Sequence, residues 1–243
     1  MPAFDLHAAL DGHDRVFLAF SGGKESVVLA HMLEPWRDRV TLLWTNTGHM
    51  APHMVEFVRA YSERFRLVEL APASLMGFWR DSGIPSEVVP TANASGDRLP
   101  RIAAWQACCA VNRTQPKVDH LARYGAPCAY VHGQRRDDPL IPTWEQRYPE
   151  NVEAIAPLWE WAEADVMAYI ARHGLALPAQ YGEGYRDSLE CIVCPAPMTA
   201  QRMAYLRRAY PEAAETAAQA MRVVLQETER AAIAIAEVIC AEK

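Results

Sequence analysis

The chain has 243 residues, 51% of them hydrophobic and 22% charged, with a formal net charge of −6. That length can bury one sizeable core, and the composition is that of an ordinary globular protein, which excludes fibrous, low-complexity and disordered classes. The negative balance excludes a broad, sequence-blind grip on nucleic acid, although a local basic patch stays compatible with it. The opening stretch MPAFDLHAALDGHDR is polar and interrupted, with neither the apolar run of a signal peptide nor a membrane-spanning segment. A cytoplasmic protein with no membrane partner is therefore expected.

Residues 16–20 form a continuous apolar run, as expected of a strand buried on both faces of a parallel sheet. The run stops at Ser21-Gly22-Gly23, and residues 27–33 continue as a helix. A second strand over 40–44 ends in the polar turn 45–48, and a second helix runs over 52–65, with Met54, Val55, Phe57 and Val58 at helical spacing. A third strand covers 67–70. Residues 83–101, rich in Pro, Gly, Ser and Asn, read as a long loop of the kind that often binds or covers a ligand. A helix is expected over 103–111, a buried strand over 128–131 ending at His132-Gly133, a helix over 163–173, and a loop over 174–190. The tail over 198–241 is helical, and Ile233, Ile235, Val238 and Ile239 on its apolar stripe suit core packing or a contact in a homo-oligomer. The order β-turn-α-β-α-β predicts an α/β fold, a doubly wound and mostly parallel sheet with ligands at the C-terminal ends of its strands. The expected organisation is a nucleotide-binding domain over 1–197 followed by a C-terminal helical extension over 198–243.

The turn Ser21-Gly22-Gly23-Lys24-Glu25-Ser26 between a buried strand and a helix has a direct physical use. Glycines let backbone N–H groups converge on an anion, the helix N-terminus adds partial positive charge, Ser21 and Ser26 add hydroxyls, and Lys24 supplies a full charge. The spacing is shorter than a Walker A loop, which sets aside the usual kinase or GTPase reading. This loop resembles the SGGKDS signature of the PP-loop (adenine nucleotide α-hydrolase-like) superfamily, with Glu25 in place of the common Asp. The resemblance implies a Rossmann-like fold and an enzyme that holds pyrophosphate on this loop, splitting ATP to AMP and pyrophosphate with Mg²⁺.

Four further segments resemble the phosphoadenylyl/adenylyl-sulfate (PAPS/APS) reductase family within that superfamily. Trp44-Thr45-Asn46-Thr47-Gly48 with Pro52, Phe57 and Val58 is similar to its DTG-x-x-x-P…FV segment, with Asn46 where Asp is usual. Gly133-Gln134-Arg135-Arg136-Asp137-Asp138 is similar to its G-x-R-R-x-x-S stretch, without the serine. Pro157 to Ile170 follows its P-L-x-x-W-x-x-x-D-V-x-x-Y-I block, and Gly184 to Cys194 its GY…S-I-G-C-x-x-C segment. The resemblance implies an adenine nucleotide, ATP or APS/PAPS, held by residues 21–26, Asn46 and Gly133. Lys24, Arg135 and Arg136 would then stabilise phosphate or sulfate oxygens, for which an arginine fork is suited.

Six cysteines occur: Cys108, Cys109, Cys128, Cys191, Cys194 and Cys240. A disulfide scaffold does not suit a chain of this length without a secretion signal. The adjacent pair Cys108-Cys109 with the later Cys191-x-x-Cys194 offers four thiolates, enough to saturate a tetrahedral zinc or a [4Fe–4S] cluster. The paired cysteines followed by Asn112-Arg113 resemble the iron–sulfur segment of APS reductases, which implies a [4Fe–4S] cluster, with zinc as the alternative. Cys128 is expected to be buried in its strand, and Cys240 to sit in an apolar helical setting that dulls it as a nucleophile.

Sulfonucleotide reductases also carry a reactive cysteine in an E-C-G-x-H segment, which these 243 residues do not contain. The expectation is accordingly an ATP pyrophosphatase or adenylating enzyme in a sulfur-related transfer. A nucleic-acid acceptor and a sulfur- or electron-donor protein are among the partners this class could use. A reductase releasing sulfite and a non-catalytic nucleotide-sensing subunit are the competing readings.

Overall fold

The computed structural model describes residues 4–72, 74–88, 102–138 and 148–241. They form two compact units that alternate along the chain. The first comprises Met1–Asn46, Pro52–Leu70 and Gln115–Ser188, and the second Thr47–Ala51, Ala71–Thr114 and Leu189–Lys243.

The first unit opens with the short helix α1 (Leu6–Leu10), capped by the Asp5 side chain, and then β1 (Val16–Ala19), α2 (Lys24–Met32) and β2 (Val40–Thr45). Helix α3 (Pro52–Ala60) tightens into a 3₁₀ turn, Tyr61–Glu63, so the helix expected to reach residue 65 ends earlier, and β3 (Arg66–Leu70) follows. In the second unit come α4 (Leu75–Ser82), β4 (Ile84–Ser86), β5 (Ile102–Ala104) and α5 (Trp105–Cys109). The chain continues through a π-helical turn, Ala110–Thr114, and returns to the first unit with α6 (Gln115–Tyr124), β6 (Cys128–Val131), β7 (Val152–Ile155), α7 (Glu163–His173) and α8 (Ala179–Gly182). Helices α9 (Ala200–Ala209) and α10 (Pro211–Ala241) complete the second unit.

The central sheet has the order β3-β2-β1-β6-β7, with every pair parallel. β1 and β2 are buried along nearly their whole length, as both faces are covered. Phe17 and Tyr130 pair across the sheet, as do Ala19 and Leu43, so these residues share one face. On that face Phe17, Leu43 and Tyr130 cluster with Leu121 of α6. The next residue along β2, Trp44, points to the opposite face, where Arg59 of α3 lies 5.8 Å from its ring centroid. Helices thus flank both faces, each fully buried Leu or Val contributing about 1.5–3 kcal/mol by leaving water.

The order of the strands reverses direction between β1 and β6. The loops after β1 and after β6 therefore open into a crevice at the C-terminal ends of the strands, where ligands of doubly wound sheets bind.

Three local expectations change in the second unit and the tail. The loop expected over 83–101 contains β4, which pairs in parallel with β5, and residues 89–101 lie outside the described residues. That pairing captures Ile102, Ala103 and Ala104, the last two of which the sequence pattern assigned to a helix over 103–111; the helix starts only at Trp105. In the tail, Ile233, Ile235, Val238 and Ile239 are each more than 60% exposed and so do not pack in a core within this chain, and Cys240 is exposed as well, not enclosed by apolar side chains. No described helix is long and apolar enough to cross a membrane.

His132, directly after β6, is 5% exposed, and burial pushes its imidazole down to about 4 from 6.5. The fold accommodates the neutral ring, whereas the unfolded chain protonates it first as pH falls. Its stabilising contribution is complete above pH 6.5 and is lost as pH falls toward 4. At about 1.4 kcal/mol per unit the loss is about 3 kcal/mol. Denaturant unfolding of His132→Gln should accordingly lose less stability than the parent over that pH interval; equal losses in the two proteins would show the ring to be hydrated in the fold.

Candidate functional site

The loop between β1 and α2 is built by glycine and serine together. Gly22 has φ +77°, and a Cβ there would stand 2.8 Å from Cγ2 of Val58 on α3. Only glycine suits both the conformation and the space. Ser26 is 4% exposed and donates its hydroxyl to the Gly23 carbonyl at 2.9 Å, while the Ser21 and Gly23 N–H groups donate to the Ser26 and Ser21 hydroxyls at 3.3 and 3.2 Å. The two serines brace the loop from inside. Gly23 is the N-cap of α2 and has no side-chain cap, which leaves the helix's first N–H groups directed at the crevice.

The loop after β6 meets this one. A Cβ on Gly133 would lie 2.8 Å from the Cβ of Glu25, so the missing side chain is what allows the two loops to touch. Glu25 then stands between two cations: its Oε1 is 3.3 Å from Lys24 Nζ and 3.4 Å from Arg135 Nε. Lys24 also approaches Glu163, in the first turn of α7, at 3.7 Å. Arg135 is gripped by Asp138, which accepts from its Nη2 at 2.9 Å and from its backbone N–H at 2.8 Å. Arg136 pairs with Glu160, and its backbone N–H donates to the Trp159 carbonyl at 2.9 Å. Lys24, Glu25, Gly133 and Arg135 are therefore brought together. Asp138, Glu160 and Glu163 fall inside segments that carry the family resemblance but were given no role there, because an acidic residue shows its partner only in the fold.

Asn46 lies at the C-terminal end of β2, with its N–H donating to the Leu70 carbonyl at 2.7 Å. Its side-chain amide donates to Glu69 at 2.8 Å, and Glu69 also accepts a fork of hydrogen bonds from Arg59. Those bonds hold the Glu69 carboxyl below its ordinary value. Asn46 is thus tied toward β3.

In the second unit, Cys108 and Cys109 end α5, and the π-helical turn that follows is a form often found at functional sites. Cys191 and Cys194 share a tight turn, closed by Cys194 N–H donating to the Cys191 carbonyl at 3.1 Å. That turn is anchored by Ile192 N–H to the His49 carbonyl at 2.9 Å and by Arg202 Nη2 to the Cys191 carbonyl at 3.0 Å. The Cys191 thiol donates to Thr47 Oγ1 at 3.5 Å. Burial, reinforced by the neighbouring thiols, pushes Cys108 up to about 11 and Cys194 up to about 12, and burial likewise raises Cys191. Every pair among the four cysteines interacts electrostatically, so residues about eighty positions apart converge on one place. Arg113 pairs with Glu190 and hydrogen-bonds Cys109, which puts one guanidinium beside the thiols. Among the described residues no group of three or more His, Cys, Asp or Glu is drawn tightly enough to form a finished metal cage. The donor set is nonetheless one that thiophilic metals take as thiolates, and burial opposes the charged form of Cys108, Cys191 and Cys194 unless a cationic centre compensates it. Cys128 is buried in β6, as expected.

Residues 15–197 match the family model of the phosphoadenosine phosphosulfate reductase domain. An uncharacterized protein of Methanocaldococcus jannaschii is 24% identical over 199 residues, which cover 80% of this chain and 44% of that protein. An adenosine 5'-phosphosulfate reductase of Allochromatium vinosum is 25% identical over 194 residues, covering 76% of this chain and 70% of that one. The crystal structure of a phosphoadenylyl-sulfate reductase from Candida auris, in a phosphate complex, superposes with a TM-score of 0.52 at 20% identity, over 75% of this chain and 84% of that one. This last likeness is one of fold.

The close contacts at Gly22 separate loop geometry from ordinary backbone strain. A left-handed residue other than glycine costs about 1–2 kcal/mol. Gly12, with φ +87° and open space around it, carries that cost alone, whereas Gly22 adds the collision with Val58. In melting and adenine-nucleotide-binding measurements, Gly12→Ala should lose stability but bind as the parent does, and Gly22→Ala should lose at least tenfold in binding. Parent-like binding by Gly22→Ala would remove the loop from the site.

Proposed function

The chain belongs to the phosphoadenosine phosphosulfate reductase domain family, and from that starting point we propose that it binds ATP at residues 21–26 and activates an acceptor by adenylation in a sulfur-related transfer. The observation that carries this reading is the charge count of the crevice. Among the described residues, Lys24 and Arg135 face Glu25, Asp138 and Glu163, two cations against three carboxylates, while Arg136 pairs separately with Glu160. A polyphosphate brings further negative charge, so it enters most favourably as its Mg²⁺ complex, the usual form of ATP.

In this reading the α2 N-terminus, the loop N–H groups and Lys24 hold the pyrophosphate portion, and Arg135, oriented by Glu25 and Asp138, faces the phosphates. An acceptor oxygen attacks the α-phosphorus, its bond to the bridging oxygen breaks, and pyrophosphate leaves with the electron pair. A sulfur nucleophile then displaces AMP from the adenylated acceptor. Charge accumulates on phosphate oxygens throughout, and fixed donors that need no reorganisation are the main stabilising element. Mg²⁺ would neutralise the departing pyrophosphate. Asn46 and Gly133 line the same strand ends and belong to the proposed nucleotide site.

We further propose that Cys108, Cys109, Cys191 and Cys194 hold a [4Fe–4S] cluster, with zinc as the alternative; a cluster would supply electron transfer or a sulfur-carrying iron. The mutual electrostatic influence of the four thiols supports this. A second reading, sulfite release from APS or PAPS, is favoured by the adenosine 5'-phosphosulfate reductases among the relatives.

Protein with ATP, Mg²⁺ and a nucleophilic acceptor should release AMP and pyrophosphate, and Lys24→Ala should slow this at least a hundredfold, about 2.7 kcal/mol of transition-state stabilisation. Sulfite release from APS or PAPS with a dithiol, in the absence of any ATP cleavage, would replace this reading by the reductase one. Protein purified without oxygen should be brown and contain iron and acid-labile sulfide, both lost in Cys108→Ser and Cys194→Ser. Stoichiometric zinc in colourless protein would overturn the cluster assignment.

A further inference from the structure

A second charged cleft lies in the first unit at the opposite, N-terminal ends of the strands. It measures about 280 Å³. Arg15 immediately precedes β1, Arg66 opens β3, and Arg123 occupies the last turn of α6; all three line it. The sheet register explains the convergence. Phe17, Thr41 and Arg66 are direct partners across β1, β2 and β3, so they share one face, and Arg15 lies two residues before Phe17 on that same face. Helix α6 covers this face and lays His120, Arg123 and Tyr124 along the rim.

The cleft is cationic without compensation. None of its lining residues is acidic, and among the described residues Arg15, Arg66 and Arg123 take part in no ion pair, in a chain whose net charge is −6. Burial, then Arg123 and Arg66, hold His120 below its ordinary value, as a ring facing positive charge requires. Arg123 also suits the negative end of the α6 dipole; that role accounts for one arginine and leaves Arg15 and Arg66 unexplained. The wall beside them is aromatic, with Phe17 edge-on to His120 at 5.7 Å and to Tyr124 at 5.1 Å.

We propose that this cleft binds a phosphate monoester of nucleoside-monophosphate size, its phosphate on the arginine forks and its ring against His120 and Tyr124. Guanidinium groups hold phosphate oxygens bidentately, and an aromatic rim accepts a planar ring. The small, partly open cleft favours a single small ligand over a strand, which needs a positive track along the surface. The proposal does not depend on the reaction assigned to the phosphate loop.

The test uses the full chain carrying Lys24→Ala, which weakens the loop site, in equilibrium dialysis with AMP, inorganic phosphate and a short single-stranded oligonucleotide. The expected result is saturable AMP binding that weakens at least tenfold when Arg66→Gln and Arg123→Gln are added. Both arginines are exposed, so the fold should survive, and an unchanged melting temperature checks this. Arg15→Gln, tested separately, should weaken AMP binding in the same direction. Absence of AMP binding, AMP binding indifferent to the arginine changes, or oligonucleotide binding with AMP silent would each overturn the proposal.

Discussion

The crevice at the C-terminal ends of the strands depends on one steric fact: the missing side chain of Gly133 lets the loop after β6 rest against Glu25 at a separation no Cβ would tolerate. Two loops from strands on either side of the reversal point are thereby locked together. Glu25 becomes a shared anchor, facing Lys24 on its own loop and Arg135 on the other. Asp138 completes the hold on Arg135. Cations that would repel one another across an empty crevice are kept in place by carboxylates between them, and in the proposed reading an anionic ligand would replace only part of that compensation.

Gly22 performs the matching service on the other side of the loop. Its left-handed backbone turns the chain sharply after β1, and Val58 of α3 fills the space a side chain would have taken. The serines, for their part, are engaged with the loop itself, Ser26 almost wholly buried. Anion recognition at such a loop falls mainly to backbone N–H groups and the helix terminus, with Lys24 adding the formal charge.

The thiol group of the second unit follows a different logic. Burial raises the Cys108, Cys191 and Cys194 thiols, so in the absence of a metal these three stay protonated and inert. A metal centre would have to displace those protons, and Arg113 adds a compensating charge for any net-negative thiolate assembly. The same burial that silences Cys128 in β6 therefore has another meaning at Cys108 and Cys194, where the neighbours are further thiols.

What the amino-acid order settled alone was whatever is local or periodic. The apolar runs marked β1, β2 and β6, Ser21 to Ser26 marked the strand-to-helix turn, and the α7 pattern marked its helix residue for residue. The paired cysteine spacings likewise announced themselves. Short edge pairings were hidden, because β4 and β5 exist only through each other, and Ile102 to Ala104 have no strand pattern without that partner. β7 was equally unmarked, its four residues being set by pairing with β6. Tertiary structure alone decided which carboxylates meet Lys24 and Arg135, and it alone gathered Arg15, Arg66 and Arg123 in one cleft. The physical reason is the same in each case: a charge acquires its chemical meaning from neighbours a few ångströms away, and a parallel sheet draws those neighbours from distant parts of the chain.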